Sequence, residues 1–324
     1  MYKVEQVLVP VDFSNSSRCA LEFARGLGSE SPLVQLVHIV EPLAPYTRNI
    51  LFPYAGLGED EVEFEHEILS EAYEQLCRHF RIDKKASKGF IGEPIVRIGA
   101  LKTLLSELVR TIDSHMIVMG AFGEGGMHPD ALGSTAERLL RSVAQPVVLV
   151  RDFERSPRIN HIVVAVDLTA SSVQVFAKAI GLAIQTGASV ETLFVLPSPF
   201  TGDSNKLLSS NIKFNAAQVL SRSEDKIDAL FERLRQQIHI PFPLKEAAAR
   251  AMERRQVLVG DPATEIVRHA YENNADLVVL GAHDPHTRST RTLGRTAWTV
   301  ARTSPTHVMI VPPEVETTLL SDDQ

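Results

Sequence analysis

The sequence predicts an α/β protein built from two doubly wound parallel sheets, one in each half of the chain. Three observations predict this fold. The chain has 324 residues, which is the length of two domains of roughly 150 residues each. A set of sequence blocks occurs twice in the same order. In each copy, short apolar runs alternate with amphipathic segments. Apolar residues make up 44% and charged residues 23% of the chain, the balance of a globular protein in which either half can bury its own core.

The duplication appears as matched blocks at constant offsets. The matched pairs are residues 7–14 with 162–169, 16–17 with 171–172, 116–121 with 277–282, 132–133 with 293–294, and 145–150 with 306–311. The first two pairs share an offset of 155 and the last three an offset of 161, so the second copy carries six more residues in its middle. Self-similarity of this kind indicates a repeated structural unit. We expect one domain at 1–154, a second at 155–313, and a disordered acidic tail at 314–324.

The first four elements of the first copy follow from periodicity. Val7–Val11 is a continuous apolar run, which is typical of a parallel strand buried on both faces. Ser17–Leu27 has apolar residues at helical spacing, Leu33–Val40 is a second apolar run, and Glu61–His79 is charged and amphipathic. These segments predict a strand, a helix, a strand and a helix in that order.

The remaining elements of the first copy continue the alternation. Ile95–Ile98 is a short strand that ends at a glycine, and Leu101–Ile112 carries a leucine and valine stripe on one helix face. Met116–Met119 and Val147–Val150 are apolar strands, and Ser134–Val143 between them is a helix. This strand–helix rhythm predicts a Rossmann-like, doubly wound parallel sheet.

The second copy has the same order and ends with a strand at Val308–Val311. A charged linker, Arg151–Arg158, separates the copies. Pro42–Gly58 and Pro197–Asn211 are rich in turn-forming residues and are predicted to be surface loops.

Charge and cysteine content limit the classes of partner. The formal net charge is −7, so there is no basic footprint for bulk nucleic-acid binding. Cys19 and Cys77 are far apart and belong to no CxxC pair, which fits a reducing compartment. The N-terminal residues have no secretory pattern and no apolar run could span a bilayer. We therefore expect a cytoplasmic protein without a membrane partner.

The glycine pattern of the first copy predicts a phosphate site. Gly120 follows an apolar strand, Gly123 comes three residues later, and after nine further residues Gly133-Ser134 opens a helix. Glycine allows close approach of a ligand, and a helix N-terminus presents unpaired N–H groups. Asp12 ends the first strand and would adjoin Gly120 if these strands flank the switch point, where it could bind a ribose hydroxyl or a metal ion on the phosphates.

Structural explanations for the same residues remain open. Ser134 and Glu137 have the spacing of a capping box, in which Ser134 would be the N-cap residue. Glycine-rich loops also occur as plain turns, and Asp12 alone is more often a turn residue than a metal ligand. His38 lies on a strand and is expected to be packed rather than catalytic.

The pattern G-x2-G-x9-G-[ST] after a strand resembles the ATP-binding signature of the universal stress protein family. The first strand with its loop, residues 9–14, and the second strand at 37–40 also resemble that family. The resemblance implies that Pro10, Asp12 and Ile39 line the adenosine, that Met119, Gly120 and Gly123 lie along the ribose and phosphates, and that Gly133, Ser134 and Thr135 cap the phosphate tail. It implies ATP, with Mg²⁺ on Asp12, and five-stranded sheets in the order 3-2-1-4-5. Tandem members fold like an internal dimer.

The second copy departs from this signature. Asp284 replaces the second glycine, Arg295 the small hydroxyl residue, and Ala165 the proline equivalent to Pro10. A carboxylate where phosphate would pass is repulsive, so we expect no ATP there. Arg288 and Arg291 also lie in this loop, either as a solvated charged segment, which is favoured, or as an anion or partner site. His283 and His286 lack further ligands at metal-binding spacing.

Three functions remain at this stage. The leading hypothesis is a tandem universal stress protein that binds ATP in its first lobe and acts through protein partners during stress. The second is slow ATP hydrolysis or nucleotidyl transfer, although no GxxxxGK[ST] motif and no catalytic triad can be found. The third is a binding module for a small apolar ligand, shaped by the loops at Pro42–Gly58 and Pro197–Asn211.

The lobes are expected to pair through Val147–Val150 and Val308–Val311. Pairing of whole chains into a homodimer stays open.

Overall fold

The fold was analysed in a computed structural model. The structure describes residues 2–28, 32–42, 61–82, 91–122, 132–151, 158–167, 169, 171–197, 225, 227–229, 231–233, 236–237, 245–246, 254–282 and 293–313. Both predicted surface loops, beyond their first residues, and the tail at 314–324 lie outside these residues.

Among the described residues, the strands and helices follow the predicted order, and most of the residues between the second and third strands of the second lobe lie outside this description. The strands are β1 Gln6–Pro10, β2 Leu33–Val40, β3 Ile95–Ile98, β4 Met116–Gly120, β5 Val147–Val150, β6 His161–Val166, β7 Ser189–Pro197, β8 Arg254–Gly260, β9 Leu277–Gly281 and β10 His307–Val311. The helices are α1 Asn15–Arg25, α2 Glu61–His79, α3 Leu101–Thr111, α4 Ser134–Leu140, α5 Ser172–Thr186, α6 Pro262–Glu272 and α7 Arg295–Thr303. The largest difference from the predicted bounds is in α4, which ends three residues early.

The strands form one ten-stranded sheet in the order β3-β2-β1-β4-β5-β10-β9-β6-β7-β8. Within each lobe the order is 3-2-1-4-5 and the described pairs are parallel. The predicted fold class, two Rossmann-like doubly wound sheets in tandem, is confirmed.

The lobes meet where β5 pairs with β10 in antiparallel register. Leu149 lies opposite Val308, and Val147 opposite Ile310. These are the strands that the sequence predicted to join the lobes. Because the pairing continues the hydrogen-bonded ladder, neither of these two strands is left as an open edge.

Two apolar cores cover the two faces of the sheet, and each core runs through both lobes. One packs under α1, α2 and α5 and contains Phe23 and Phe176. The other packs under α3, α4, α6 and α7 and contains Leu139 and Val300. Each lobe therefore completes the core of the other.

The N-terminal segment adds a second junction between the lobes. The Val4 N–H donates to Gln185 Oε1, and Gln185 Nε2 donates to the Val4 carbonyl, both at 2.9 Å. The Tyr2 hydroxyl donates to the His115 carbonyl at 3.0 Å, and the Tyr2 ring lies 4.5 Å from Lys178 Nζ. Burial raises the pKa of Tyr2 well above its ordinary value.

In the described part of the chain no helix is long and apolar enough to cross a membrane.

Candidate functional site

The predicted site lies at the carboxyl edge of the first lobe, between β1 and β4. These two strands pair in parallel, with Val7 opposite Met116 and Leu8 opposite Ile117. The helix after β1 packs on one face of the sheet, whereas the helix after β4 packs on the other. The winding therefore reverses here, which opens the crevice where such sheets bind ligands.

Asp12 organises the loop after β1 through one carboxylate oxygen. Asp12 Oδ1 accepts from the Ser14 N–H at 3.1 Å, from Ser14 Oγ at 2.5 Å and from Ser17 Oγ. The Asp12 N–H donates to Ser17 Oγ at 3.1 Å, and Ser14 caps α1 by accepting from the Ser17 N–H. Burial of the carboxyl raises the pKa of Asp12, but the hydrogen bonds from Ser14 and Ser17 outweigh it and leave the pKa below its ordinary value.

The other oxygen of Asp12 is not used by this turn. Asp12 is exposed, and among the described residues Oδ2 takes part in no hydrogen bond. The turn explanation and the ligand explanation are thus compatible, since one oxygen holds the turn and the other does not take part in it.

Gly120 is glycine for a reason that the sequence did not reveal. A Cβ at this position would lie 2.7 Å from Ser16 Cβ and 2.9 Å from the Ser16 carbonyl carbon. The first turn of α1 therefore packs directly on the end of β4. This contact places the loop after β1 beside Gly120, the neighbourhood that the sequence predicted for Asp12 and Gly120.

The start of α4 differs from the capping box that was considered. Gly133 is the N-cap residue, at φ −59° and ψ 140°, and it makes no side-chain capping bond. Its N–H donates to the Ala121 carbonyl at 2.9 Å, which folds the loop back onto the end of β4. The capping-box interpretation is wrong because Ser134 is the first helical residue, and its hydroxyl is exposed. The first N–H groups of α4 keep no intrahelical partner.

Four further predicted residues lie on the same edge. Pro10 ends β1 opposite Val37, and Ile39 and Met119 are 8% and 5% exposed in the core beneath α3 and α4. Thr135 is half-buried in the first turn of α4. Gly123 lies outside the described residues.

An aromatic group beside Asp12 escaped sequence reasoning. Phe13 has φ +64°, a left-handed conformation uncommon for a large side chain. Its ring packs 4.6 Å from the His38 ring and 5.7 Å from the His79 ring. His38 Nδ1 lies 2.8 Å from the Val11 carbonyl, which fixes Nδ1 as the donor. His38 is therefore packed, as expected. The aspartate and serine spacing, which occurs in both copies, was the one signal that could have located this turn.

The family of the chain follows from comparison with known proteins. The sequence profile of the universal stress protein family matches residues 3–151 and again residues 158–312. The chain belongs to this family. A universal stress protein of Methanocaldococcus jannaschii is 26% identical over 157 residues, which is 47% of this chain and 96% of that protein.

Solved structures agree on the fold of this universal stress protein. A functionally unknown protein of Pseudomonas aeruginosa PAO1 aligns with 96% of this chain and 93% of its own, at a TM-score of 0.60 and 14% identity. A universal stress protein of Archaeoglobus fulgidus DSM 4304 aligns over 95% and 98%, at a TM-score of 0.59 and 17% identity. At such identities the likeness concerns the two-lobed fold alone.

The second lobe of this universal stress protein repeats the turn but not the surface around it. Asp167 Oδ1 accepts from the Thr169 N–H at 3.0 Å and from Ser172 Oγ at 2.5 Å, as Asp12 does from its serines. At the start of α7, however, Arg295 lies 3.6 Å from Asp261, the N-cap residue of α6. The first lobe has Ser134 and Ala100 at these places. Residues 283–292, with Asp284, Arg288 and the two histidines, lie outside the described residues.

A magnesium ion on a nucleotide fits this edge with one protein ligand. Asp12 has a lowered pKa and an oxygen that the turn does not use, so it would be ionised at neutral pH. The described residues contain no group of three or more His, Cys, Asp or Glu side chains able to hold a metal ion. Mg²⁺ commonly binds through one or two carboxylates, substrate phosphates and water, so Asp12 would hold the ion only together with a nucleotide.

Proposed function

We propose that this universal stress protein is an ATP-binding regulator of the stress response that binds the nucleotide in its N-terminal lobe. One observation carries the proposal. In the first lobe, the groups that would face a nucleotide have no partner among the described residues: Asp12 Oδ2 and the first N–H groups of α4. In the second lobe, an ion pair between Arg295 and Asp261 lies at the equivalent edge.

Each predicted residue has a role in this proposal. Asp12 accepts a hydrogen bond from a ribose hydroxyl or holds Mg²⁺, and Pro10 and Ile39 line the adenosine. Met119 and Gly120 border the ribose, and Gly120 lets the first turn of α1 pack against the end of β4. The phosphates lie along Gly123 and the start of α4, where Gly133, Ser134 and Thr135 supply N–H and hydroxyl donors to anionic oxygens.

A regulatory role fits this edge better than rapid catalysis. Asp12 is committed to the turn through Oδ1, and the nearby His38 is engaged with the Val11 carbonyl and the Phe13 ring. His79 is likewise packed against the Phe13 ring, and Glu41, which follows β2, is a further carboxylate at this edge. We propose domains at 1–154 and 155–313, a cytoplasmic location, and protein partners as the output.

Isothermal titration with ATP and Mg²⁺ tests the proposal. The wild type should bind one ATP per chain. Gly123→Asp, which copies the second lobe's Asp284, should weaken binding by at least about tenfold because it places a carboxylate beside the phosphates.

Ser209→Asp adds the same charge in a predicted surface loop of the second lobe and is the matched control, which should bind as the wild type does. Absence of heat in the wild type would contradict the proposal. Turnover of ATP that requires Mg²⁺ and is lost in Asp12→Ala would favour the enzyme alternative instead.

A further inference from the structure

Arg151, which directly follows β5, is a buried cation at the carboxyl edge of the first lobe. Its residue is 4% exposed, and its Nε has no hydrogen-bond partner. Burial lowers the pKa of Arg151 to about 10, and no charged neighbour contributes to this shift. Arg151 is therefore protonated at neutral pH, although no carboxylate among the described residues neutralises it. A buried charge without a counter-ion is unfavourable, so its presence needs a reason.

The packing role of Arg151 needs a hydrogen-bond donor rather than a charge. Arg151 Nη2 donates to the Ala301 carbonyl in the last turn of α7. Within a helix this carbonyl would accept from residue 305, which is a proline and has no N–H. A neutral amide side chain could supply the same donor. The dipole of α7 and the ring of Phe122 favour a cation here, but they offset only part of the unfavourable burial.

Arg151 lies beside the residues that lead from β4 toward the proposed phosphate site. Gly120 pairs with Val150, and the Ala121 N–H donates to the Val150 carbonyl at 3.0 Å. The guanidinium carbon of Arg151 lies 4.9 Å from the centre of the Phe122 ring. The charge is therefore one side chain away from the backbone at the end of β4.

The second lobe keeps the backbone contacts of this edge without the charge. The Ala282 N–H donates to the Val311 carbonyl at 2.8 Å, as Ala121 does to Val150. The residue equivalent to Arg151 is Pro312, which has no charge. The cation thus occurs in the lobe that keeps the ATP-binding signature and is replaced in the lobe that departs from it.

We propose that Arg151 is a specificity-determining residue of the nucleotide site, whose buried charge favours ligands in proportion to the negative charge of their phosphates. This inference rests on the proposed ATP site. The interaction is a Coulomb attraction at a distance, and salt screens it less than it screens a surface charge because Arg151 is buried. Its size grows with the charge of the ligand, so ATP gains most, ADP gains less and adenosine gains nothing.

The test compares ATP, ADP and adenosine on the full-length protein, with calorimetry for the nucleotides and ligand-observed NMR for adenosine. Arg151→Gln removes the charge and keeps an N–H donor for the Ala301 carbonyl. Its affinity for ATP should fall by about tenfold and its affinity for ADP by less, whereas adenosine should bind as before. Arg302→Met removes an exposed cation from the same turn of α7 and is the matched control. Because solvent screens that charge, the control should bind ATP as the wild type does.

Stability separates an electrostatic role from a structural one. Arg151→Gln, and Arg151→Met as a second variant, should be at least as stable to denaturant as the wild type, because each removes an unpaired buried charge. Failure of both variants to fold would show that the charge serves the fold and would contradict the proposal. An equal loss of affinity for ATP, ADP and adenosine would overturn it too, since a distorted site weakens all three.

Unchanged ATP affinity in Arg151→Gln would overturn the role of Arg151 and leave the ATP site standing. Absence of binding heat in the wild type would instead remove the ATP site itself, and the role of Arg151 with it.

Discussion

The loops after β1 and after β6 use the same hydrogen bonds, whereas the surfaces around them differ. In each lobe an aspartate oxygen accepts from a hydroxyl two residues later and from another five residues later. Since the second lobe keeps this network without the ATP signature, the network serves the turn rather than the nucleotide. The hydrogen bonds that both lobes keep therefore stabilise the turn. A difference in function has to come from the residues that differ between the lobes.

Two differences between the lobes lie at the carboxyl edge. Gly120 is confined by Ser16, but a Cβ on its equivalent, Gly281, would meet Val175 Cγ2 at 3.3 Å, a much milder contact. Ser134 opens α4 with a small hydroxyl, whereas Arg295 opens α7 with a charged side chain. Among the described residues, the carboxyl edge of the second lobe bears an ion pair that the first lobe, with Ser134 and Ala100 at these places, does not have.

A third difference lies at the opposite edge of the sheet. In the second lobe, Glu191 lies between two histidines, 3.4 Å from His161 Nε2 and 3.1 Å from His269 Nε2. All three side chains are largely buried, and neither histidine nitrogen makes a well-aligned hydrogen bond. The first lobe has Gln6, Gln35 and Leu108 at these places. The lobes have therefore diverged in their buried polar groups as well as in their loops.

Alanine substitutions at Gly120 and Gly281 are expected to give the largest difference between the two lobes. Gly120→Ala should destabilise the protein by about 1–3 kcal/mol, because overpacking forces the start of α1 away from β4. Gly281→Ala should change stability by less than about 1 kcal/mol, because the flexible end of Val175 can give way. Chemical denaturation of the two variants measures the difference. Equal losses would show that the ends of β4 and β9 are packed alike.

The aspartate pair tests which turn faces a nucleotide. Asp12→Asn keeps an oxygen for Ser14 and Ser17 but removes the charge, so ATP affinity with Mg²⁺ should fall by about tenfold. Asp167→Asn is the matched variant in the second lobe and should leave the affinity unchanged. Calorimetry on both proteins gives the answer, and a similar loss in both would mean that the effect is structural.

The pH dependence of Asp12 gives the smallest expected effect. The pKa of Asp12 in the folded protein lies below its ordinary value. The ionised carboxylate therefore stabilises the fold at a pH above the pKa of the unfolded state. This stabilisation disappears as the pH falls through the pKa of the folded state. Asp12→Asn should therefore be less stable than the wild type at neutral pH and approach it in acid. Asp12 is exposed, so the difference should be small. Denaturation midpoints across the acid range measure it, and a gap that widens in acid would contradict the assigned hydrogen bonds.

The sequence alone determined the duplication, the α/β class and the strand and helix order, and it predicted a phosphate site at the glycines of the first copy. These features depend on apolar periodicity and on matched blocks, which are local or repeated properties of the chain. The largest error in the predicted bounds of an element is in α4, which was predicted to end at Val143 and ends at Leu140.

Only the tertiary structure decided why particular residues occupy the site. It moved the cap of α4 from Ser134 to Gly133, explained Gly120 by Ser16, and joined Arg151 to α7 across 150 positions of sequence. It also paired Arg295 with Asp261. Such contacts depend on which elements the sheet order places side by side, and a pairing between distant segments leaves no period in the sequence from which it could be read.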